Sequence, residues 1–323
     1  MELQTKLPLT PSDNPIDYQN KLVLLGSCFV ENIGAKLDYF KFQTLQNPFG
    51  ILFHPLAIEN LVQRAIAGKN YRQEEIFEHD GIWRCFDAHS DLRSDNPKAL
   101  LHLLNQRLKE TKANLLASSH IIITLGTAWV YEYNSSGKKV ANCHKVPQKQ
   151  FTKKLLSVAE IESSLQHIIA LIQNVNSEAQ IIFTISPVRH IKDGFVENQQ
   201  SKAHLITAVH SVLSSRAQSR DLAYFPSYEI MMDELRDYRF YGTDMVHPNQ
   251  LAVDYIWERF TSVWISKNAY SVMDEVEAVQ KGLLHRPFNP DSEVHQKFKT
   301  SLRAKITYLQ ERYPFMKFKI SSL

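Results

Sequence analysis

Four short apolar runs, with helical stretches between them, constrain this chain more than any other feature. Lys21 to Leu25 stops at Gly26, His120 to Leu125 at Gly126, and Gln180 to Ile185 at Ser186-Pro187; Leu222 to Phe225 is a weaker fourth. Phe29, Ile33 and Leu37 recur at helical spacing after the first run. Helices are expected over Pro97 to Leu116, Ala159 to Gln173 and Ser201 to Gln218, each just ahead of the next run. Continuous apolar runs are the mark of parallel strands buried on both faces, and intervening helices supply the crossovers. The expected fold is therefore α/β, an open parallel sheet flanked by helices in three layers.

Two regions exceed a minimal unit of that kind. Trp129 to Phe151 alternates through Val130, Tyr131 and Tyr133, turns at Asn134-Ser135-Ser136-Gly137 and resumes at Val140, which predicts an inserted β-hairpin. Beyond Ser266 the chain becomes polar and helical, with Leu302, Ile306 and Leu309 on one face of a long helix. The expected division is a main domain over 1–265 and a helical extension over 266–323 packed on it.

Composition narrows the function classes. Hydrophobic residues at 44% and charged residues at 22% of 323 fit a globular chain with a large core. A net charge of +3, with lysines scattered, gives no footprint for nucleic acid; the basic stretch Lys138 to Lys154 reads as a solvated hairpin. Three widely spaced cysteines argue against a disulfide framework and for a reducing compartment. No segment has the length of a signal core or a membrane span, so the expectation is a cytoplasmic protein without membrane contact. Cys85, Cys143, His79, His89 and His144 match no zinc spacing, and no cofactor is expected.

Two constellations carry chemistry. Ser27 follows Gly26 at the carboxyl end of the first run, the edge where open α/β sheets bind ligands, and it precedes a helix whose free N–H groups suit an oxyanion. The plainer reading of Ser27 is an N-cap. His247 lies before Pro248, and Pro favours the first position of a helix, so a helix is expected over Pro248 to Phe260 with His247 on the loop ahead of it. Asp244 is three residues earlier and can reach the imidazole Nδ1; the plainer reading is a structural Asp–His pair. A serine hydroxyl needs an imidazole to take its proton, and the imidazole needs a carboxylate to fix its tautomer. Cys28 is a rival nucleophile, but neighbouring side chains in a first helical turn diverge by about 100° and only one can face the imidazole. The charged stretch Asp233 to Arg239 is expected to be a salt-bridged loop supporting the His247 loop.

Gly26-Ser27-Cys28-Phe29 closely resembles the signature of the GSCFA family, with Val30 where the family name has alanine. That family is related to the SGNH (GDSL-type) hydrolases, which place a serine after the first strand and an Asp-x-x-His near the end. Asp244-Met245-Val246-His247-Pro248-Asn249 is similar to that late block. Asn47-Pro48-Phe49-Gly50, Thr124 to Trp129, Asn142-Cys143-His144-Lys145 and Ser186-Pro187-Val188-Arg189-His190 resemble further stretches of the family, in order, across Leu22 to Phe260.

The resemblance implies a Ser27–His247–Asp244 triad acting on an acyl ester, by hydrolysis or acyl transfer. Gly50 fits the glycine that donates to the oxyanion in such enzymes. After Gly126-Thr127 the chain has Ala128 where an asparagine donor is expected, so Asn47, Asn142 or Trp129 would have to substitute. Arg189, His190, Thr127 and His144 complete the candidates for substrate contact. The expected substrate is a small-molecule or carbohydrate-linked acyl ester. The rival function is a catalytically weak binding protein that kept the fold without a complete oxyanion hole.

Overall fold

The computed structural model describes residues 4–216 and 221–319. The chain runs β1 (Lys21–Gly26), α1 (Phe29–Tyr39), β2 (Gln43–Gln46), α2 (Pro55–Ala67), a short antiparallel pair β3 (Phe77–His79) and β4 (Ile82–Arg84), α3 (Pro97–Ala117), then β5 (His120–Leu125). Next come β6 (Trp129–Tyr133), β7 (Lys138–Val140), β8 (Phe151–Leu155), α4 (Val158–Val175), β9 (Gln180–Ile185), α5 (Phe195–Ser215) and β10 (Leu222–Phe225). A short turn α6 (Ser227–Glu229) leads toward α7 (Gln250–Trp264), α8 (Lys267–Leu284) and α9 (Glu293–Arg312).

The main sheet is wholly parallel, in the order β10-β9-β5-β1-β2. Counted along the chain this is the doubly wound order 2-1-3-4-5, whose direction of winding reverses between β1 and β5. Alternation along β1 feeds two cores: Val23 and Leu25 face one with α2 to α5, and Leu22 and Leu24 face the other with α1, α7, α8 and α9. Every residue of β5 and β9 is buried, as central strands require. The α/β expectation and its four strands are thus found.

Other details depart from the sequence reading, each for a local reason. The fifth strand, β2, was not expected, because Gln43-Thr44-Leu45-Gln46 is a half-buried edge with no apolar run. The predicted hairpin exists as β6 and β7, but β8 pairs along the other side of β6, from Trp129↔Leu155 to Tyr133↔Phe151, and makes it three-stranded. Four of its lysines are paired: Lys138 with Asp87 at 2.7 Å, Lys139 with Glu132 at 3.2 Å, Lys154 with Glu160 at 2.6 Å, and Lys153 with Asp193. Helix α5 starts at Phe195 rather than Ser201, with Phe195 and Val196 exposed so that periodicity hides its first turns. The expected end at Gln218 lies outside the described residues. Pro248 is not the first residue of α7. Asn249 is its N-cap, accepting from Ala252 N at 3.1 Å, and Pro248 bridges to Tyr241 instead.

Helices α8 and α9 bury Val272, Val276, Val279, Leu302, Ile306 and Leu309 in the same core as Ile16, Leu22 and Leu37. No helix among the described residues is long and apolar enough to cross a membrane.

The β1–α1 turn depends on Gly26. Its φ is +135°, and a methyl group there would lie 2.0 Å from the Thr124 carbonyl oxygen on β5. Neither backbone can retreat without breaking the central register Gly26↔Thr124. Gly26→Ala is expected to lower unfolding free energy by at least ~3 kcal/mol, read from urea denaturation. A variant as stable as the parent would show that the strands can part at this point.

Candidate active site

The crevice outside the carboxyl ends of β1 and β5 is where a sheet of this order binds ligands. Ser27 stands at that point, completely buried, with its N–H donated to Thr124 O at 3.0 Å. Its Oγ has no hydrogen-bond partner. Across the crevice, Gly126 opens the loop after β5. A methyl group on Gly126 would meet Ser27 Cβ at 3.0 Å, Phe53 O at 3.1 Å and His190 Nε2 at 3.3 Å. The bare Cα is what lets these three close in on one another. Gly126→Ala is expected to drive Ser27 and His190 apart, cutting whatever turnover the site supports while costing about 1–3 kcal/mol of stability from overpacking. Paired activity and melting measurements check both effects; unaltered activity would show that the spacing is immaterial.

The Asp244–His247 loop is built as a unit. Asp244 Oδ1 accepts from Val246 N at 2.9 Å and His247 N at 3.0 Å, while Oδ2 meets His247 Nδ1 at 2.7 Å. The Asp244 carboxyl is held down at about 2, chiefly by the His247 and Val246 backbone N–H groups, then by the imidazole. The carboxylate therefore fixes Nδ1 as a donor and leaves Nε2 free to accept a proton. Met245 takes φ +58° to let the loop fold back on itself, and Gly242 N closes it on His247 O at 2.8 Å. Half of each side chain is exposed. The Asp233–Arg239 stretch carries ion pairs Asp233–Arg236 at 3.0 Å and Asp237–Arg239 at 2.8 Å, and Arg239 O accepts from Asn249 Nδ2 at 2.7 Å.

Arg189 joins that loop to the rest of the crevice. Its N–H donates to Val246 O at 3.2 Å and its Nη1 to Met245 O at 3.1 Å, with the guanidinium among the rings of Phe195, Tyr238 and Tyr241. The next residue, His190, has its N–H on Asn198 Oδ1 at 2.8 Å and its ring edge-on to Phe53. Burial, with the charges of Lys202 and His247 adding, lowers the His190 imidazole to about 3. His190 is therefore neutral at any working pH. His190 thus approaches Ser27 over Gly126, but no hydrogen bond links Ser27 Oγ to an imidazole.

Most other expected site residues are engaged in local contacts. Gly50 takes φ +69°, and its N–H is donated to Asn47 O at 2.7 Å. Asn47 Oδ1 accepts from Gly26 N at 2.9 Å, and its Nδ2 is buried without a partner. Thr127 Oγ1 bonds Ser201 Oγ at 3.0 Å, while the N–H groups of Gly126 and Thr127 both go to Phe53 O, at 2.8 and 3.0 Å. Asn142 Oδ1 accepts from His144 N at 2.7 Å. His144 turns away from the crevice; its Nε2 donates to Cys85 O at 2.7 Å, and burial lowers its imidazole to about 4. Burial pushes the Cys28 thiol up, against the pull of Lys202, so a neutral thiol stands beside Ser27.

A cavity of about 300 Å³ continues from His190 under the three-stranded insert. Phe53, Trp129 and Tyr131 supply its flat faces, and Asn142, Gln148 and Asp193 its polar groups. Lys153 lies 4.4 Å from the Trp129 ring centre, and Trp129 Nε1 donates to Glu197 O at 3.2 Å, which fixes that wall. Among the described residues no three His, Cys, Asp or Glu side chains converge as a set for a metal ion.

Sequence reasoning missed the face of α5 beneath the crevice. Asn198, Ser201 and Lys202 are all buried there. Ser201 Oγ accepts from Ala128 N at 2.7 Å, and Lys202 Nζ donates to Gly126 O and Ser186 O, each at 2.7 Å. The signal was available: the apolar stripe Leu205, Val209 and Val212, carried back two turns, lands on these polar residues.

Burial lowers the Lys202 amine to about 7. An unfolded lysine titrates near ~10.4, so between these values the folded state binds fewer protons than the unfolded one. Stability from this group is therefore least below pH 7 and grows as pH rises toward 10. The curve of stability against pH should rise for the parent relative to Lys202→Met with a slope of about one proton over that window, measured by denaturant unfolding. Parallel curves would show that the amine titrates normally.

Fold and site together define a doubly wound α/β protein with a buried serine at its switch point and an Asp–His pair on the loop before α7. The sequence matches the GSCFA family over residues 21–260 and the GSCFA domain protein, C-terminal domain, over residues 276–320; the chain belongs to the GSCFA family. No curated protein matches the chain. Among solved structures it is similar to an acetyl xylan esterase from the rumen bacterium Butyrivibrio proteoclasticus, at 11% identity and TM-score 0.37 over 77% of this chain and 65% of that one. It is likewise similar to a family two carbohydrate esterase from Clostridium thermocellum in complex with cellohexaose, at 9% identity and TM-score 0.37 over 77% of this chain and 64% of that one. The chain spans just under two thirds of the length of either.

Proposed function

We propose that the protein is a serine-dependent ester hydrolase or acyltransferase in which Ser27 is the nucleophile, His247 the base and then the acid, and Asp244 the group that orients it. The observation that carries this reading is the 2.7 Å contact between Asp244 Oδ2 and His247 Nδ1. It holds the imidazole in the tautomer that general-base catalysis needs. Arg189 supports it by fastening that loop beside His190, which abuts the turn of Ser27 through Gly126.

The substrate we infer is a small-molecule or carbohydrate-linked acyl ester. The 300 Å³ cavity offers aromatic faces beside amide and carboxylate edges, a lining that suits a sugar ring or another compact polar group joined to a short acyl chain. Cys28 forgoes a cysteine's usual advantage as a nucleophile, since burial keeps its thiol protonated.

The burial of Ser27 and its unbonded Oγ favour a second reading, a binding protein with weak catalysis. Labelling by a fluorophosphonate separates the two. The enzyme reading expects a phosphonyl adduct on Ser27 that does not form in heat-denatured protein or in Ser27→Ala, and that forms slowly because the serine must first be uncovered. An unlabelled native protein would instead support the binder. Asp244→Asn preserves the loop's shape but misplaces the imidazole proton, and turnover of p-nitrophenyl acetate should fall by about 10⁴ with a modest change in melting temperature. An Asp244→Asn protein that melts early but keeps normal specific activity would make the carboxylate a scaffold group only.

A further inference from the structure

We propose that the oxyanion formed at Ser27 is held by two side chains, Asn47 through Nδ2 and His190 through Nε2, rather than by the main-chain N–H groups around the crevice. This rests on the serine-nucleophile reading above.

The main-chain donors are already occupied. Ser27 N–H is on Thr124 O at 3.0 Å, Gly50 N–H on Asn47 O at 2.7 Å, and the N–H groups of Gly126 and Thr127 on Phe53 O at 2.8 and 3.0 Å. Each of these bonds also fixes the turn that carries its donor, so none can be given up without moving Ser27 or its neighbours. Three other polar atoms at this crevice are buried with no partner: Ser27 Oγ, Asn47 Nδ2 and His190 Nε2. Folded proteins rarely leave buried donors unpaired, and a cluster of them calls for a ligand that completes them.

Both donors are held in place by their other contacts. Asn47 Oδ1 accepts from Gly26 N at 2.9 Å, which fixes the amide against the residue before Ser27 and leaves Nδ2 as its spare donor. His190 is fixed by its main-chain bond to Asn198 and by the Phe53 ring. Its Nε2 and Ser27 Cβ lie 3.3 and 3.0 Å from one point above Gly126. The charged and titratable groups around the imidazole are Lys202 on α5, His247 on the loop before α7, Lys192 and Asp193 beyond it, and His54 and Cys143 across the cavity. Burial and the neighbouring Lys202 and His247 charges keep it neutral, and in its Nε2–H tautomer it donates from Nε2.

The chemistry balances with groups in the chain. Ser27 Oγ forms a bond to the acyl carbon, its proton passes to His247 Nε2, and the carbonyl pair moves onto oxygen. That oxygen then accepts from Asn47 and His190. Collapse breaks the bond to the alcohol, which leaves with the proton from His247, and water or an acceptor alcohol repeats the sequence in reverse.

The test uses the whole chain with p-nitrophenyl acetate as probe. His190→Phe and Asn47→Asp keep ring shape and the bond to Gly26, respectively, while removing the donor. Each should lower kcat by about 10²–10³ with KM little changed, and His190→Gln, which restores an amide donor, should recover part of the loss. Normal kcat in His190→Phe and Asn47→Asp, in a protein whose Ser27 is labelled by fluorophosphonate, overturns this assignment and spares the serine reading. Absence of label in the unmodified protein overturns the serine reading itself. Should a variant fail to fold, ¹⁵N spectra of the unmodified protein decide: a proton on Nε2 of His190 at neutral pH is required, and a neutral Nδ1–H tautomer rules the donor out.

Discussion

The two hydrogen bonds from Lys202 Nζ to the carbonyls of Gly126 and Ser186 tie together the loops that follow β5 and β9, and the rest of the crevice hangs from those loops. Gly126 faces Ser27 and His190; Ser186 begins the segment that carries Arg189 and His190; Arg189 holds the Asp244–His247 loop. An ammonium group in a low-dielectric interior is costly unless its donors are satisfied. Helix α5 is obliged to present this one with Asn198 and Ser201 beside it, so that each loop meets a matching polar partner. The same charge lowers the His190 imidazole and opposes the rise of the Cys28 thiol. One buried amine thus ties the loops together, while burial, with Lys202 adding to it at His190 and opposing it at Cys28, keeps both side chains neutral.

The sequence disclosed what the sheet interior dictates. Strands buried on both faces must be apolar throughout, and β1, β5 and β9 were legible for that reason. Strand β2 was invisible because an edge need not be apolar, and its two glutamines look like loop residues. The place of Ser27 followed from strand, glycine and helix; the local geometry of Asp244 and His247 followed from spacing and the adjoining proline. The proline's role did not, since Asn249 takes the cap and the helix begins later.

The polar partners of the crevice were the least legible part. Which donor serves a main-chain turn and which stays free depends on contacts between segments far apart in the chain, such as Gly126 with Phe53. Gly50 and Asn47 belong to one tetrapeptide, yet the first spends its N–H on the second and only the second keeps a spare donor. His144 was grouped with the crevice through its neighbours in sequence, whereas a carbonyl in the loop after β4, that of Cys85, draws its ring away.

The three-stranded insert bears on how such a scaffold can diversify. Its first and last strands pair with each other, Trp129 with Leu155, so the polypeptide leaves and rejoins the α/β layers at nearly one place. Length and residue changes between those two points alter the cavity wall formed by Trp129, Tyr131, Asn142 and Gln148 without disturbing the register of the main sheet. Grafting of the segment between homologues is therefore a modular route to altered ligand preference, with the nucleophile's turn and the Asp–His loop left on an unaltered frame.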